Sequence, residues 1–326
     1  MYYYIFLILL LLFLILFIIY YFFNNIKFNF INNNDDLPIL RNYNPSIIVK
    51  SKNNIYSYII NNEDDDIIMT FRNNLDFSFY NSKIYICNYL LKYNTINNIQ
   101  LIQHNYSKTF EDSRLFSFNN NLYLSMTDVI IDNNILTPKM IVMNYDTKTL
   151  YINNYLNNIK NKLKWEKNWQ YFEHNNKFYL LYSIQPFIIY EINNTTFDII
   201  DIVVNYKWNN FNNFKLRCST PPIFLNNVFY ILSHYYYYKN NIKYYNVIII
   251  TFNENFKIIN YTINPIFDNN KAIIYYPCGF IYNKIDNNFI ISCGIDDKFI
   301  SIIKINKFIL DVKLYLSTFY KILKIK

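Results

Sequence analysis

The sequence predicts an all-β domain that follows an apolar N-terminal segment. From about residue 41 onward it shows no helical period, and short runs of β-branched and aromatic residues recur, among them "SIIVK", "KIYICNYLL", "KFYLLYSI" and "NFIISCG". Clusters of Asn and Asp bound these runs and supply the turns, because the chain contains only 2 Gly and 8 Pro. The runs lie roughly 10 to 15 residues apart, a spacing typical of paired sandwiches or of a β-propeller. A propeller blade takes about 40 to 50 residues, so five or six blades fit the domain.

Residues 1–23, "MYYYIFLILLLLFLILFIIYYFF", contain no charged side chain. A helix of this length spans roughly 34 Å and crosses a hydrocarbon core of about 30 Å. No Ala, Gly or Ser precedes Ser46, which leaves no cleavage site for a signal peptide. We therefore expect a single uncleaved transmembrane anchor at 1–23, a polar stem at 24–40 and the β domain at 41–326. The localisation expected is a membrane, with neither its identity nor the orientation predicted.

The charge and cysteine content exclude two classes of partner. The formal net charge is +8, but the lysines are scattered without forming the basic stripe that a nucleic-acid binder presents. The four cysteines form no CxxC pair and have no metal-ligand spacing with the three histidines, so no metal site is expected. We expect Cys278 and Cys293 to be buried free thiols on neighbouring strands.

The residue types that are rare in this chain gather into short motifs. Both glycines, Gly279 and Gly294, lie in "PCGFIYNKIDNNFIISCGIDDK" (277–298), and only four residues are arginine. In chain order the motifs are "NPSII" (44–48), "MTFR" (69–72), "FEDSRLF" (110–116), "EKNWQYF" (166–172), "YSIQPFIIYEI" (182–192), "LRCSTPPIF" (216–224) and the glycine motif. A scarce glycine in a strand marks a bend or a close approach of another backbone, as at the rim of a ligand site.

Taken in this order, the motifs resemble family 130 of the glycoside phosphorylases and hydrolases and the related family 108 mannosyltransferases. The pattern of that family runs Asn-Pro, Glu-Asp-Pro-Arg, Lys-Asn-Trp, Tyr-Ser-x-x-Pro-Phe, Arg-Gly-Gly-Thr-Pro-Pro and Gly-x-x-Asp, and the resemblance covers about residues 41–304. It implies a five-bladed β-propeller that acts on β-mannosides with inversion. Phosphate or a sugar 1-phosphate would serve as co-substrate, with no other cofactor.

The resemblance also implies roles for individual residues. Asp112 would be the single catalytic acid, passing its proton through a sugar hydroxyl, because phosphate is itself the nucleophile. Arg114 would hold phosphate through its bidentate fork, which Lys does not reproduce. The remaining expected substrate-binding residues are Asn44, Arg72, Lys167, Arg217, His234 and Asp297.

Departures from the family pattern favour a rival interpretation. Ser113 replaces a proline, and Cys218-Ser219 replaces a Gly-Gly pair, where bulkier side chains would narrow the pocket. The rival is a non-catalytic propeller that binds glycans or proteins through a decayed pocket. Each candidate also has a structural alternative: Asp112 and Arg114 as a surface pair, His234 as a rim residue and Asp297 as turn chemistry.

Overall fold

A computed structural model describes residues 4, 6–7, 10–11, 13, 27–30, 42–74, 82–102, 110–132, 135–152, 168–208, 214–267 and 273–324. In chain order its strands are β1 (Lys27–Phe30), β2 (Asn42–Lys50), β3 (Tyr56–Ser57), β4 (Ile59–Ile60), β5 (Asp66–Asn74), β6 (Ser82–Leu90), β7 (Thr95–Leu101), β8 (Phe110–Phe118), β9 (Asn121–Asp132), β10 (Ile135–Asn144), β11 (Leu150–Ile152) and β12 (Gln170–His174). They continue as β13 (Lys177–Ser183), β14 (Phe187–Ile192), β15 (Ile199–Tyr206), β16 (Arg217–Cys218), β17 (Ile223–Leu225), β18 (Val228–Lys239), β19 (Ile242–Asn253), β20 (Ile258–Tyr261), β21 (Tyr275–Asn283), β22 (Asn288–Ile295) and β23 (Phe299–Asn306). Helix α1 spans Lys307–Lys324, and residues 4, 6–7, 10–11 and 13 are also helical.

These strands form five sheets, the blades of a β-propeller. Blade 1 has the order β3-β2-β5-β6-β7, blade 2 β11-β10-β9-β8, and blade 3 β12-β13-β14-β15. In blade 4, β16 and β17 both pair with β18, which continues to β19 and β20, and blade 5 has the order β1-β23-β22-β21-β4. The first strands of the blades contact those of neighbouring blades, β2 with both β8 and β21, and β8 with β12. The predicted all-β, five-bladed fold is therefore confirmed.

Each of the five apolar clusters lies between two consecutive blades. Blades 1 and 2 enclose a cluster around Leu124, blades 2 and 3 one around Phe116, and blades 3 and 4 one around Phe252. The remaining two clusters fill the interfaces between blades 4 and 5 and between blades 5 and 1. Because the blades bury both of their faces, inner strands such as β21 and β22 are buried over nearly their whole length, whereas the outer strands β7 and β15 are largely exposed.

The N-terminal strand completes the last blade. β1 pairs antiparallel with the outer edge of β23, with Lys27 opposite Lys304 and Phe30 opposite Ser301. Four residues of the expected stem, 27–30, thus belong to a blade. Among the described residues no helix is both long enough and apolar enough to cross a bilayer, and most of the expected anchor, 1–23, lies outside those residues.

Helix α1 differs from the expectation that the domain has no helical period. The side chain of Asn306 caps its N-terminus, accepting a hydrogen bond from the backbone N–H of Phe308 at 2.9 Å. Leu310 and Leu314 are buried in the cluster between blades 4 and 5. The helix therefore seals the outer opening of that interface.

The four cysteines are free and buried, as expected for Cys278 and Cys293 on the paired strands β21 and β22. Burial raises the pKa of the Cys87 thiol to about 12 and that of the Cys218 thiol well above its usual range.

Candidate active site

Two irregular strands place the central side chains of the site. In β2 the pairing with β5 shifts between Tyr43 and Ser46, and in β8 the pairing with β9 shifts between Glu111 and Arg114. Each irregularity is a bulge, in which two residues of the inner strand lie opposite one residue of the partner strand. A bulge bends its strand and redirects a side chain, and bulges are frequent beside active sites.

Asn44 and Asp112 occupy these two bulges with left-handed backbones, at φ 54° and φ 50°. Asn and Asp adopt this conformation more readily than other residues with a side chain. Their side chains meet between blades 1 and 2, where the Asn44 Nδ2 donates to Asp112 Oδ1 at 2.6 Å. Both residues are buried.

Arg72 and Tyr276 also contact the buried Asp112 carboxyl group. Arg72 Nη1 lies 3.9 Å from Asp112 Oδ1, while its Nη2 bonds Glu111 Oε1 at 3.2 Å. The Tyr276 hydroxyl lies 3.5 Å from Asp112 Oδ2 and is also hydrogen-bonded to the Asn168 side chain. Asp112 therefore contacts side chains from blades 1 and 5, and Tyr276 links it to Asn168 beside blade 3, which makes Asp112 the centre of the site.

Arg114, two residues after Asp112, connects blades 2, 4 and 5. Its Nε donates to the carbonyl oxygen of Ser219 at 3.1 Å, and its Nη2 donates to the Tyr276 hydroxyl at 3.3 Å. Its Nη1 donates to the carbonyl oxygens of Asp112 and Ser113, each at 3.2 Å. Four of its five N–H groups are thus used inside the protein. Burial favours the neutral guanidine, but Cys278, Tyr276 and Asp112 outweigh burial and raise the pKa of Arg114 above its ordinary value.

His234 lies on the blade 4 side of this cluster. Its Nδ1 lies 2.7 Å from the Ser219 hydroxyl, and its ring is 5.1 Å from the Tyr276 ring, centroid to centroid. Arg217 lies opposite His234 in the β16–β18 pairing, with its guanidinium 5.9 Å from the centroid of Tyr236. Ser219 therefore holds His234 in place, and the Cys218 side chain points into the core between blades 3 and 4.

Asp297 lies in the turn that follows β22, at the same end of the ring. Its backbone is left-handed, with φ 50°, and its side chain is half-buried. Burial raises the pKa of Tyr43 to about 12, and the charges of both Asp112 and Asp297 contribute to that increase. Tyr43 thus lies within the electrostatic range of both carboxylates. Lys167 lies outside the described residues.

The two glycines allow blade 5 to pack directly against the Asn44 bulge. A Cβ at Gly294 would come within 3.0 Å of both the Oδ1 and the backbone N of Asn44. A Cβ at Gly279 would come equally close to the backbone N of Ile47 and the Ser292 hydroxyl. Neither glycine has a positive φ, so each is needed for space rather than for backbone freedom.

The structure adds three site residues that the sequence did not single out: Tyr276, Asn168 and Ser219. Asn168 and Ser219 lie inside the motifs "EKNWQYF" and "LRCSTPPIF", which was the available signal. Tyr276 is one of 35 tyrosines and carries no sequence signal of its own.

The fold defines the class of this protein, that of the five-bladed β-propellers. Solved structures with a similar fold include a mannose phosphorylase from Leishmania mexicana in complex with phosphate ion, with a TM-score of 0.62 at 10% identity over 87% of this chain and 89% of that chain. A GDP-Man-dependent mannosyltransferase from the same organism has a TM-score of 0.62 at 13% identity, over 86% and 90%. A β-1,2-mannobiose phosphorylase from Listeria innocua has a TM-score of 0.56 at 12% identity, over 90% and 99%.

These structures confirm the resemblance that the motifs indicated, and at such identities they show a shared fold. No family model matches this chain, and no curated protein matches it.

Proposed function

We propose that this protein is a carbohydrate-active enzyme that transfers a hexosyl unit, with Asp112 as its acid and base. The observation that carries the proposal is the position of Asp112, buried at a bulge and bonded to Asn44 Nδ2 at 2.6 Å. The similar folds of a mannose phosphorylase and a mannosyltransferase support a β-mannosyl unit as the group transferred.

The proposed reaction needs one carboxyl group. The bond between the anomeric carbon and the leaving oxygen breaks, and Asp112 supplies the proton that this oxygen takes up, through a sugar hydroxyl. A phosphate oxygen attacks the opposite face of the ring, so the configuration inverts. In the direction of transfer the same steps run in reverse, with Asp112 as base.

Unsatisfied polar atoms beside Asp112 support a hydroxyl-rich ligand. The Tyr43 hydroxyl and the Asn44 Oδ1 are buried and have no hydrogen-bond partner among the described residues. Leaving such an atom unpaired costs about 1 to 3 kcal/mol. A sugar hydroxyl both donates and accepts, and would satisfy either atom. We assign sugar binding to Asn44 and Asp297, and binding of phosphate to Arg72, Lys167, Arg217 and His234. Arg114 has one N–H left for an anion.

We also propose that residues 1–23 anchor the enzyme in a membrane. The support is their length and their lack of charge. An anchor favours glycan synthesis at a membrane over the scavenging of soluble oligosaccharides, so transfer is the direction that we expect.

The second candidate is a glycan-binding propeller without turnover. The observation that favours it is the use of four Arg114 N–H groups for protein contacts, which leaves little of that side chain for phosphate. A ligand would still bind such a protein, so turnover distinguishes the two candidates.

The test is turnover of the full-length chain with hexose 1-phosphates and nucleotide sugars as donors and β-mannosides as acceptors. Asp112→Asn should lower kcat by about 10²-fold or more with little change in KM, because Asn hydrogen-bonds but does not pass a proton. Asp297→Asn should mainly raise KM.

Near-normal turnover of Asp112→Asn beside an inactive Asp297→Asn would move the catalytic role to Asp297. A parent protein that binds donors but turns none over would establish the second candidate.

A further inference from the structure

The hairpin of β18 and β19 continues beyond its blade at the end of the ring where the site lies. Both strands are 12 residues long. The inner neighbour β16 pairs with β18 only as far as His234, and the outer neighbour β20 pairs with β19 only from Ile250 onward. Between these limits the Tyr245 N–H also donates to the carbonyl oxygen of Ile273 at 3.0 Å. Among the described residues, the tip beyond it, 236–244, is a two-stranded projection beside the site.

The two faces of this projection differ. On one face Tyr235 is buried and stacks on Phe214 at 4.8 Å, and Tyr237 stacks on Tyr244 at 5.4 Å. Tyr235 belongs to the core between blades 3 and 4, and Tyr237 packs against it. This face therefore has a structural role.

The opposite face carries the cross-strand pairs His234–Val247, Tyr236–Tyr245 and Tyr238–Lys243. We call His234, Tyr236, Tyr238, Lys243 and Tyr245 the tyrosine wall. Because side chains alternate along a strand, these residues all face away from the packed side.

The tyrosine wall is continuous with the site. The His234 ring is 5.1 Å from that of Tyr276, whose hydroxyl lies 3.5 Å from Asp112 Oδ2. From His234 the rings continue to Tyr245 at 5.7 Å, from Tyr245 to Tyr236 at 6.0 Å, and from Tyr236 to Tyr238 at 6.1 Å. Tyr238 is 66% exposed, so the row of rings leads from the buried carboxyl group to solvent.

Two cations lie over this row of rings. Lys243 Nζ is 4.2 Å from the centroid of Tyr236 and 4.9 Å from that of Tyr245, and the Arg217 guanidinium is 5.9 Å from that of Tyr236. Within the described ranges no carboxylate lies within 4.0 Å of either cation. Their charge is therefore available to an anion.

The length of the wall indicates how much of a ligand it holds. His234 and Tyr238 are four residues apart on a strand, which is about 13 Å. That distance exceeds a single sugar ring, so the wall is too long to serve the transferred hexosyl unit alone.

We propose that the tyrosine wall is a second anion subsite, which binds a phosphate-bearing, ring-containing extension of the substrate beyond the transferred unit. Lys243 contacts the phosphates together with Arg217, which this subsite shares with the phosphate site proposed above, and Tyr236 and Tyr245 pack against the rings. A nucleoside diphosphate and a phosphorylated oligosaccharide both have this chemistry. The inference rests on the proposed function, because it takes the hexosyl unit to lie at Asp112.

The experiment measures dissociation constants of the full-length chain by calorimetry at constant ionic strength. The probes are guanosine diphosphate, a mannooligosaccharide phosphate, inorganic pyrophosphate and mannose 1-phosphate. The variants are Tyr236→Ala, Tyr236→Phe and Lys243→Ala. Lys239→Ala is the matched control, an exposed lysine of the same hairpin on the opposite face.

Lys243→Ala should weaken the binding of the extended anions (guanosine diphosphate, the mannooligosaccharide phosphate and pyrophosphate) about tenfold. The dissociation constant of mannose 1-phosphate should stay within twofold of its parent value. Tyr236→Ala should weaken the binding of a ring-bearing probe, guanosine diphosphate or the mannooligosaccharide phosphate, but not that of pyrophosphate. Tyr236→Phe should restore this binding. Whichever of the two ring-bearing probes loses more affinity in Tyr236→Ala identifies the source of the extension.

Equal effects of Lys243→Ala and Lys239→Ala would overturn the subsite, as would a Tyr236→Ala protein with unchanged affinities. If mannose 1-phosphate binds and the extended probes bind no more tightly, the tyrosine wall is not a subsite, while the proposed function stands. If no probe binds the parent chain, the subsite and the proposed function are both wrong.

Discussion

Asn44 and Asp112 each occupy a left-handed position that most side chains avoid, at φ 54° and φ 50°. Such backbones persist only where the surroundings fix them, and they concentrate at functional sites. Here the surroundings are the hydrogen bond between the two side chains and the close packing of Gly294 against Asn44. The position of the Asp112 carboxyl group thus depends on Gly294, because only a glycine leaves room for Asn44 there.

Gly294→Ala tests this dependence. The added Cβ would come within 3.0 Å of Asn44, so Asn44 must shift, and overpacking of this kind lowers the free energy of unfolding by about 1 to 3 kcal/mol. Turnover should fall as well, because Asn44 bonds Asp112. Gly279→Ala is the comparison: it should lose similar stability, measured by urea unfolding, with a smaller loss of turnover. Wild-type stability in Gly294→Ala would show that the contact is not tight.

Sequence reasoning identified most of the central cluster because its members belong to scarce types or motifs. Arg72 and Arg114 stand out where most cations are lysine, and the two glycines mark where blade 5 packs against β2, with Gly294 against Asn44 and Gly279 against Ile47. Tyr276 and Asn168 were not identified, because Tyr and Asn are abundant in this chain and only a three-dimensional contact distinguishes one from another. The same limit hid the bracing contacts of Arg114, whose acceptors come from residues as distant in sequence as Ser219 and Tyr276.

Among the secondary-structure elements, most strands lie where runs of β-branched and aromatic residues predicted them. The sequence patterns did not predict β1 or α1. The β1 segment "KFNF" is four residues long in an Asn-rich stretch, and it is a strand because β23 offers it an edge. Helix α1, "KFILDVKLYLSTFYKILK", is rich in aromatic and β-branched residues, which favour strands locally. Burial of Leu310 and Leu314 overrides that preference.

The Asn306 cap should contribute measurably to α1. Asn306→Ala removes the acceptor for the Phe308 N–H and should lower the free energy of unfolding by about 1 kcal/mol. Asn306→Asp keeps an acceptor and should stay near the parent value. Tyr315→Ala, at a side chain that is 79% exposed, is the control, with an expected change within about 0.5 kcal/mol. Urea unfolding followed by circular dichroism measures all three, and equal stability of Asn306→Ala and Asn306→Asp would contradict the cap.

For the whole molecule, the spacing of strands left five or six blades open, and the motif resemblance indicated five. Local sequence does not count blades, because each blade needs two neighbours to bury its faces and the number is set when the ring closes. In this chain the ring closes through blade 5, whose outermost strand comes from the N-terminus and whose other four come from elsewhere in the chain.

Two truncations distinguish the contribution of β1 to stability from that of the residues before it. A chain that starts at residue 27 retains β1 and should keep the melting temperature of the parent. A chain that starts at residue 31 loses β1, leaves the edge of β23 unpaired and should be less stable and prone to aggregate. A loss of about 2 kcal/mol corresponds to a drop of about 3 °C for a domain of about 300 residues. Differential scanning calorimetry gives the comparison, and identical transitions for the two truncations would show that β1 adds nothing to closure.

The direction of β1 determines how the ring would be oriented relative to a membrane that holds the proposed anchor. Since Lys27 lies opposite Lys304, near the end of β23 remote from Gly294, β1 begins at the back of the ring. With the membrane anchor proposed above, the back of the ring would face the bilayer, and the end that carries Asp112 would face the aqueous phase. The exposed aromatic side chains of α1, which starts at the same back edge, would then lie beside the lipid headgroups. Such an anchor would select substrates by their distance from the membrane: soluble donors and long glycans would reach the site, while sugars attached directly to the lipid surface beneath the ring would not.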